Sequence, residues 1–338
     1  MFVVFYYTAL CKVFYFYNGI VFIIYPFYNN LKLKLVEVMF MSYRLGLNLG
    51  FAINRFIEPE EWSRIAAEEI GVKYVQFVAD LLNPFLPGEY IDDQLRRIRE
   101  SVKRYGLCVE SIFTSSFTRV NHLLSPDEQA RRIWFEWFKK LLDIGANLGA
   151  HSGGSHFGIL TVQSNETSGR REFLVEEGVK AWQKLSFYAK ELGYRELIFE
   201  PMSIPREMAC TIGETKELLA RVNANSGIPM KICLDVGHAP HPDERDPYKW
   251  IKALAGMSPI IHLQQTQLNK SNHWPFTKEY NAVGIIDAQK VLDTARSVGC
   301  EDALFALEIS HREHWDTEYL VIPDLKESVA YWRQYIDG

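Results

Sequence analysis

Short apolar runs alternate with longer amphipathic stretches along the chain, eight times between Met41 and the C-terminus. Each short run has the length of a buried strand, and each longer stretch repeats its apolar positions at helical spacing. The first four predicted strands are Leu45–Leu49, Tyr74–Ala79, Leu107–Phe113 and an irregular Ala150–Phe157. Strands that alternate with helices of this length indicate parallel β-α-β units, and eight units close naturally into a barrel. We therefore predict an α/β fold, a (β/α)8 TIM barrel in a single domain.

Helix-terminal residues support the same division of the chain. Pro59 opens the first predicted helix, acidic residues follow in its first turn, and Gly71 lies beyond its end. The other helices are predicted near Asp92–Gly106, Pro126–Gly145, Glu172–Leu192, Glu214–Asn225, Pro247–Leu254, Asp287–Val298 and Asp324–Tyr335. An open doubly wound sheet is the alternative, but no G-x-G-x-x-G motif follows a strand, which disfavours a nicotinamide dehydrogenase.

The last four predicted strands each end on a residue that can bind a metal. They are the segments LIFE with Glu200, KICLD with Asp235, IIH with His262 and LFALE with Glu308. Singly, each residue could be an exposed charge, a helix cap or a satisfied polar group. Four consecutive strands that end in this way would bring three carboxylates and one imidazole to one mouth of the barrel. The sequence therefore predicts a site for one divalent ion, with Mn²⁺ or Mg²⁺ favoured and Zn²⁺ or Co²⁺ open.

Further residues near the same mouth are candidates for substrate binding. His238 follows Asp235 by three residues, and His156 ends the fourth predicted strand. Arg206 and Lys270 lie on the loops after strands five and seven, where they could bind a phosphate group, and Arg312 could join them. Each also has a simpler interpretation as a loop histidine or a solvated cation.

Composition narrows the class of protein. At 338 residues the chain has room for a barrel of about 250 residues with insertions. The net charge of −5 provides no basic face for nucleic acid. The five cysteines are scattered without a C-x-x-C pair, which favours reduced thiols in the cytoplasm.

The first forty residues differ from the rest, because Phe, Tyr, Ile, Asn and Lys crowd them and the first acid is Glu37. The apolar stretch from Val13 to Tyr28 is short for a membrane anchor and contains Asn18 and Pro26. A signal peptide would need early positive charge and small residues before its cleavage site. We favour a third interpretation: residues 1–40 are an extension translated from a mis-assigned start, and residues 41–338 form the domain.

The order Glu, Asp, His, Glu at the ends of strands five to eight resembles the sugar isomerase and epimerase family of xylose-isomerase-like barrels. The ketose 3-epimerases of that family also have a His three residues after the Asp, as His238 is here. Three segments further resemble the tetrulose-phosphate (erythrulose-phosphate) 3-epimerases of bacterial erythritol catabolism: MSYRLGLNLGFAINRFIEPEEWSRI, YVQFVADLLNPFLP and GSHFGIL.

Two departures from the epimerases that act on free ketoses favour a phosphorylated substrate. Those enzymes tend to have a glutamate six residues after the strand-five ligand, where this chain has Arg206. They also tend to have an arginine six residues after the strand-seven histidine, where this chain has Leu268. The resemblance thus implies a small-molecule sugar phosphate as the partner, and neither nucleic acid nor membrane. A homodimer is compatible with barrels of this type.

The resemblance implies inversion at C3 of a ketose through an enediolate that a divalent ion stabilises. Glu200 and Glu308 would exchange the proton on opposite faces, while Asp235 and His262 would complete the ligand set. An aldose–ketose isomerase could use the same site. A metal-dependent endonuclease for abasic DNA would need more His and Asp ligands and a basic surface, and a sugar-phosphate sensor would not need two opposed carboxylates.

Overall fold

A closed barrel of eight parallel strands forms the unit that spans residues 43–338 of the computed structural model. The structure describes residues 43–115, 118–238, 243–300, 302–313 and 316–336, together with strand backbones at 13–17, 20–24 and 36–38. The barrel strands are β1 (Arg44–Asn48), β2 (Tyr74–Val78), β3 (Cys108–Phe113), β4 (Ser152–His156), β5 (Glu196–Glu200), β6 (Met230–Asp235), β7 (Ile260–Leu263) and β8 (Leu304–Leu307). Each strand pairs with the next in sequence, and β8 pairs with β1. The predicted TIM barrel is therefore confirmed.

Helices connect the strands in the predicted alternation. They are α1 (Pro59–Arg64), α2 (Gly88–Tyr105), α3 (Glu128–Asn147), α4 (Val162–Glu166), α5 (Arg170–Glu191), α6 (Ile212–Asn223), α7 (Pro247–Leu254), α8 (Lys278–Asn281), α9 (Ala288–Arg296) and α10 (Val321–Ile336). The helix α1 continues as a π-helical turn over Ile65–Ile70 and ends at Gly71, which adopts a left-handed conformation with φ of 82°. The short helices α4 and α8 were not predicted from the sequence.

Strand β4 has the unusual sequence SGGSH because it approaches β5 very closely. A Cβ atom on Gly154 would lie 1.7 Å from the carbonyl oxygen of Ile198 in β5. Glycine is therefore required at this point of the pairing, although it weakens strand propensity. The same pairing places His156 opposite Glu200, so the tight contact sets the height at which both side chains reach the barrel mouth.

Apolar side chains fill the barrel and the layer between barrel and helices. Phe113, Ile198, Cys233, Ile260, Leu304 and Ala306 form a buried cluster inside the barrel. Outside the strands, Trp62 contacts Phe77 at a ring distance of 6.1 Å and Trp332 contacts Phe305 at 6.4 Å. Truncating a buried aromatic of this size costs about 3–5 kcal/mol, so these contacts fix the helices against the barrel that positions the site.

The N-terminal unit spans residues 1–42. In it the strand Ile20–Ile24 pairs antiparallel with Val13–Tyr17 and with Val36–Val38. Most of this segment lies outside the described residues, and the assignment of residues 1–40 to an extension stays a prediction.

The described part of the chain has neither a disulfide bond nor a membrane-spanning helix. Cys108, Cys210, Cys233 and Cys300 are all free. Within the same residues, no helix combines the length and the apolar character needed to cross a membrane.

Candidate functional site

Four ligand-type side chains meet at the carboxyl end of the barrel. Glu200, Asp235 and His262 are the last or nearly last residues of β5, β6 and β7, and Glu308 directly follows β8. The pairing of neighbouring strands brings them to the same height, because His262 lies opposite Asp235 and the Glu308 N–H donates to the carbonyl of Leu263. One ligand atom from each of the four lies within 4.8 Å of the others. The structure thus brings together the four residues predicted as metal ligands.

One nitrogen of the His262 imidazole is close to both glutamates. Its Nδ1 is 3.0 Å from Glu200 Oε1 and 3.1 Å from Glu308 Oε2, and the ring is fully buried. Glu308 Oε2 is buried but accepts no hydrogen bond from the described residues. Buried carboxylates without enough donors are costly unless a cation compensates them. The three carboxylates and one imidazole therefore fit a divalent ion by both their chemistry and their burial.

A chain of hydrogen bonds fixes the tautomer of His262. The Gly50 N–H donates to Asn48 Oδ1 at 2.8 Å, so the Asn48 amide must present its NH₂ to Gln76 Oε1, 2.7 Å away. Gln76 Oε1 is thereby identified as an acceptor, and it lies 2.7 Å from His262 Nε2. The imidazole must therefore donate from Nε2, and Nδ1, which faces the carboxylates, is the nitrogen that would give up its proton to a metal.

Electrostatics at the centre point to a missing positive charge. Burial lowers the pKa of His262, but Cys233 and the two neighbouring glutamates outweigh burial and raise that pKa well above its usual value. Burial raises the pKa of Glu308, yet His262, His273 and His238 hold it below its usual range. In the metal-free protein a proton on His262 thus partly neutralises the carboxylates, a role that a divalent cation would perform more fully.

Three hydrogen bonds hold the Asp235 carboxylate. The Gly237 N–H donates to Asp235 Oδ1 at 2.5 Å, and Gln264 Nε2 donates to both carboxylate oxygens at 3.0 Å. These donors orient the carboxylate and offset the cost of its burial.

A cavity of about 700 Å³ opens above the four ligands. Glu200 and Glu308 line it together with His156 and His238, the two histidines predicted to bind substrate. His156 Nε2 and His238 Nδ1 are buried atoms without a hydrogen-bond partner among the described residues. Burial, with a smaller contribution from Arg119, lowers the pKa of His156 to about 3, so this side chain is neutral at pH 7.

The cationic side chains that line the cavity are not the two that the sequence analysis singled out for phosphate binding. Neither Arg206 nor Lys270 is among the described residues that line the cavity. Arg206 donates to the Leu160 carbonyl at 3.2 Å, and Lys270 is exposed. Arg119 does line the cavity, and its Nη2 donates to both carboxylate oxygens of buried Glu207 at 2.7 and 2.6 Å. Arg55 and Arg312 also line the cavity.

Several residues of the site were missed by the sequence reasoning. Gln76 was detectable as a single polar residue inside the apolar segment YVQFVA, and Gln264 follows β7 directly. His273 faces His238 with ring centroids 5.4 Å apart, but it lies in a polar loop segment that carries no distinguishing pattern. Arg119 is similarly placed on the loop after β3, where no spacing rule identifies it.

Known proteins resemble this chain over most of its length. Residues 65–335 match the model of the xylose isomerase-like TIM barrel family. D-erythrulose 1-phosphate 3-epimerase of Brucella abortus (strain 2308) is 34% identical over 302 residues, which are 88% of this chain and 97% of that protein.

Solved structures show the same fold. A provisionally named xylose isomerase from Rhodospirillum rubrum ATCC 11170 superposes with a TM-score of 0.80 at 26% identity, over 87% of this chain and 99% of that one. D-psicose 3-epimerase from Clostridium cellulolyticum H10, solved with D-tagatose, gives a TM-score of 0.67 at 14% identity over the same shares of the two chains. Together with the family match, the epimerase relative identifies an enzyme of the isomerase class. The chain belongs to the xylose isomerase-like TIM barrel family.

Proposed function

We propose that the protein is a metal-dependent 3-epimerase that interconverts the D and L forms of erythrulose phosphate in erythritol catabolism. The substrate is proposed from the Brucella abortus relative, whose name specifies D-erythrulose 1-phosphate. The observation that carries the chemistry is the meeting of two glutamates from β5 and the end of β8 at one point, each with a carboxylate oxygen 3.0 or 3.1 Å from His262 Nδ1. Inversion at C3 needs one group to remove a proton and another to return it from the opposite face.

Glu200, Asp235, His262 and Glu308 would hold the ion, with Mn²⁺, Mg²⁺, Zn²⁺ or Co²⁺ as candidates. When bound, the ion supplies positive charge that stabilises the negative charge developing on the substrate oxygens as the C3 proton leaves. Without such stabilisation a proton next to a carbonyl is too weakly acidic for a carboxylate to remove at a useful rate.

The glutamates perform the proton transfers in this proposal. Because the neighbouring histidines hold the pKa of Glu308 below its usual range, its carboxylate is ionised at neutral pH and can accept the C3 proton. Glu200, which ends β5, would act on the other face of the substrate. His238 and neutral His156 line the cavity, and each has a ring nitrogen without a hydrogen-bond partner among the described residues. These side chains would hydrogen-bond the substrate hydroxyls.

Arg119 is the proposed anchor for the phosphate. It lines the cavity close enough to His156 to lower the pKa of that side chain. Its bond to buried Glu207 fixes one end of the guanidinium, so binding an anion loses little side-chain entropy. Arg312 lies on the cavity wall as a second cation. The phosphate roles of Arg206 and Lys270 stay predictions, and their variants can be compared directly with Arg119→Ala.

Proton exchange at C3 tests the proposal. The protein is incubated in D₂O with Mn²⁺ and L- or D-erythrulose phosphate, and the product is followed by NMR. Deuterium at C3 with inverted configuration is expected, and Glu308→Gln should abolish it while exposed Glu100→Gln on α2 should not. An aldose product would instead support the isomerase alternative. Absence of exchange with every candidate metal would overturn the proposed function.

A further inference from the structure

A second set of metal-ligand side chains adjoins the four described above. Ligand atoms of Asp235, His238 and His273, here called the outer triad, lie within 4.8 Å of one another. His238 is only 7% exposed, and its Nε2 lies 4.0 Å from Asp235 Oδ2, while its Nδ1 lies 3.7 Å from Glu200 Oε1 of the inner set. Asp235 belongs to both sets, so a cation in the outer triad would share that carboxylate with the proposed ion. The donors for a dinuclear centre are therefore present.

The carboxamide of Gln264 occupies the space where the second cation would lie. Its Nε2 is 3.0 Å from both oxygens of Asp235 and 3.2 Å from His273 Nε2. A divalent ion bound to the same atoms would lie about 2.0–2.2 Å from each of them. The nitrogen and the ion cannot occupy this space together, and the amide protons would repel the cation.

The amide cannot easily turn its oxygen toward the ion instead. The backbone N–H of His273 donates to Gln264 Oε1 at 2.7 Å, and this bond would be lost on rotation. Rotation would also place the amide oxygen against the Asp235 carboxylate. Packing restrains the side chain further, since a Cβ atom on Gly237 would lie 2.3 Å from Gln264 Cδ. Gln264 is fully buried in this arrangement.

We infer that the Gln264 carboxamide excludes a second divalent cation from the outer triad and so keeps the metal centre mononuclear. This inference rests on the proposed function insofar as it assumes an ion at the inner four residues. Exclusion of the second cation matters for substrate binding, because a cation in the outer triad would take the imidazole of His238 as a ligand. With Gln264 in place, His238 stays available to hydrogen-bond a substrate hydroxyl.

Manganese stoichiometry tests the inference. Metal-free protein is titrated with MnCl₂, and bound Mn²⁺ is counted by equilibrium dialysis and by the loss of the free-ion EPR signal. The wild-type protein should bind one ion per chain. Gln264→Glu replaces the NH₂ group by a carboxylate oxygen of the same shape and should bind two, a twofold increase. Gln264→Ala removes the obstruction alone and decides the question if the Glu variant fails to fold.

Two controls separate the triad from a general charge effect. Gln267→Glu adds the same charge on the following loop at a half-buried position and should stay at one ion per chain. His273→Ala combined with Gln264→Glu removes a triad ligand and should return the count to one. Two ions in the wild type, or one ion in both folded Gln264 variants, would overturn the inference. No bound ion in the wild type would instead refute the proposed metal centre itself.

Discussion

Replacement of Gln76 by Leu should weaken metal binding although Gln76 is not a metal ligand. The change replaces the amide by a shorter apolar side chain and removes the acceptor, 2.7 Å away, that holds His262 Nε2–H. Removing a partner that orients a ligand histidine lowers metal affinity about 10–100-fold, which equals about 1.4–2.7 kcal/mol. We expect Gln76→Leu to raise the Kd for Mn²⁺ by this factor.

The free energy of unfolding of the metal-free protein should fall as well. A buried donor left without an acceptor costs about 1–3 kcal/mol. Here the loss should lie near the lower limit, because Cys233 Sγ remains 3.3 Å from His262 Nε2 as a weak acceptor. Asn48 Nδ2 also keeps a contact of 3.4 Å with Glu308 Oε1, so both donors lose their strong acceptor but keep a weaker one.

Calorimetric Mn²⁺ titration and urea unfolding measure the two quantities. Gln76→Glu keeps an acceptor at the same position and should restore most of the affinity, which a merely structural role would not predict. Gln94→Leu makes the same chemical change at a half-buried position of α2 and serves as the control. A Kd for Gln76→Leu within about twofold of the wild type would refute the role of Gln76 in orienting the ligand.

Four further outcomes are expected. Glu308→Gln should lower C3 proton exchange in D₂O by about 10²–10⁴-fold, and normal turnover by NMR would contradict the two-base scheme. Arg119→Ala should raise the KM for the phosphorylated ketose about 10–100-fold, whereas Arg132→Ala on the exposed surface of α3 should leave it unchanged in steady-state assays. Burial lowers the pKa of His262, but its neighbours raise it well above the usual value, so His262 carries a proton that Mn²⁺ must displace. The affinity for Mn²⁺ should therefore rise with pH. Calorimetry in buffers of different ionisation enthalpy should detect the released proton. A protein that begins at Met41 should keep full activity and Tm, and a loss of either would show that residues 1–40 contribute.

The barrel could be predicted because its signal is local. A buried parallel strand needs a short apolar run, and each run is visible without its neighbours. The strand ends were predicted less accurately: the first strand was expected at Leu45–Leu49 and is observed at Arg44–Asn48. Both end residues are polar, and their partners lie far away in sequence: Arg44 pairs with Glu110, and Asn48 donates to Gln76. Long-range pairing of this kind leaves no mark in the local pattern.

The meeting of the four residues predicted as metal ligands could be foreseen for a related reason. Glu200, Asp235, His262 and Glu308 all follow one rule, that strand ends meet at the barrel mouth. The residues that support them follow no such rule, since Gln76 and His262 are separated by 186 positions. Gln264 likewise acquires its role only when β6 and β7 place it beside Asp235.

The phosphate-binding cations are harder to predict from the sequence. Arg206 and Lys270 were chosen because their loops follow strands that end in predicted ligands; among the described residues, the cavity wall includes Arg119 but neither of these two. The direction in which a loop side chain points depends on local contacts, such as the bond from Arg206 to the Leu160 carbonyl. Chain position alone does not determine these contacts.

The tight contact at Gly154 implies that the segment with the least strand-like sequence is among the least free to vary. Even alanine there would drive a methyl group into the Ile198 carbonyl, so a change would have to separate β4 from β5 or be accompanied by others. Such a separation would carry His156 away from Glu200, its partner in the pairing. During evolution or laboratory selection, altered substrate preference should therefore arise through the loops beyond the strand ends, while the SGGSH segment stays fixed.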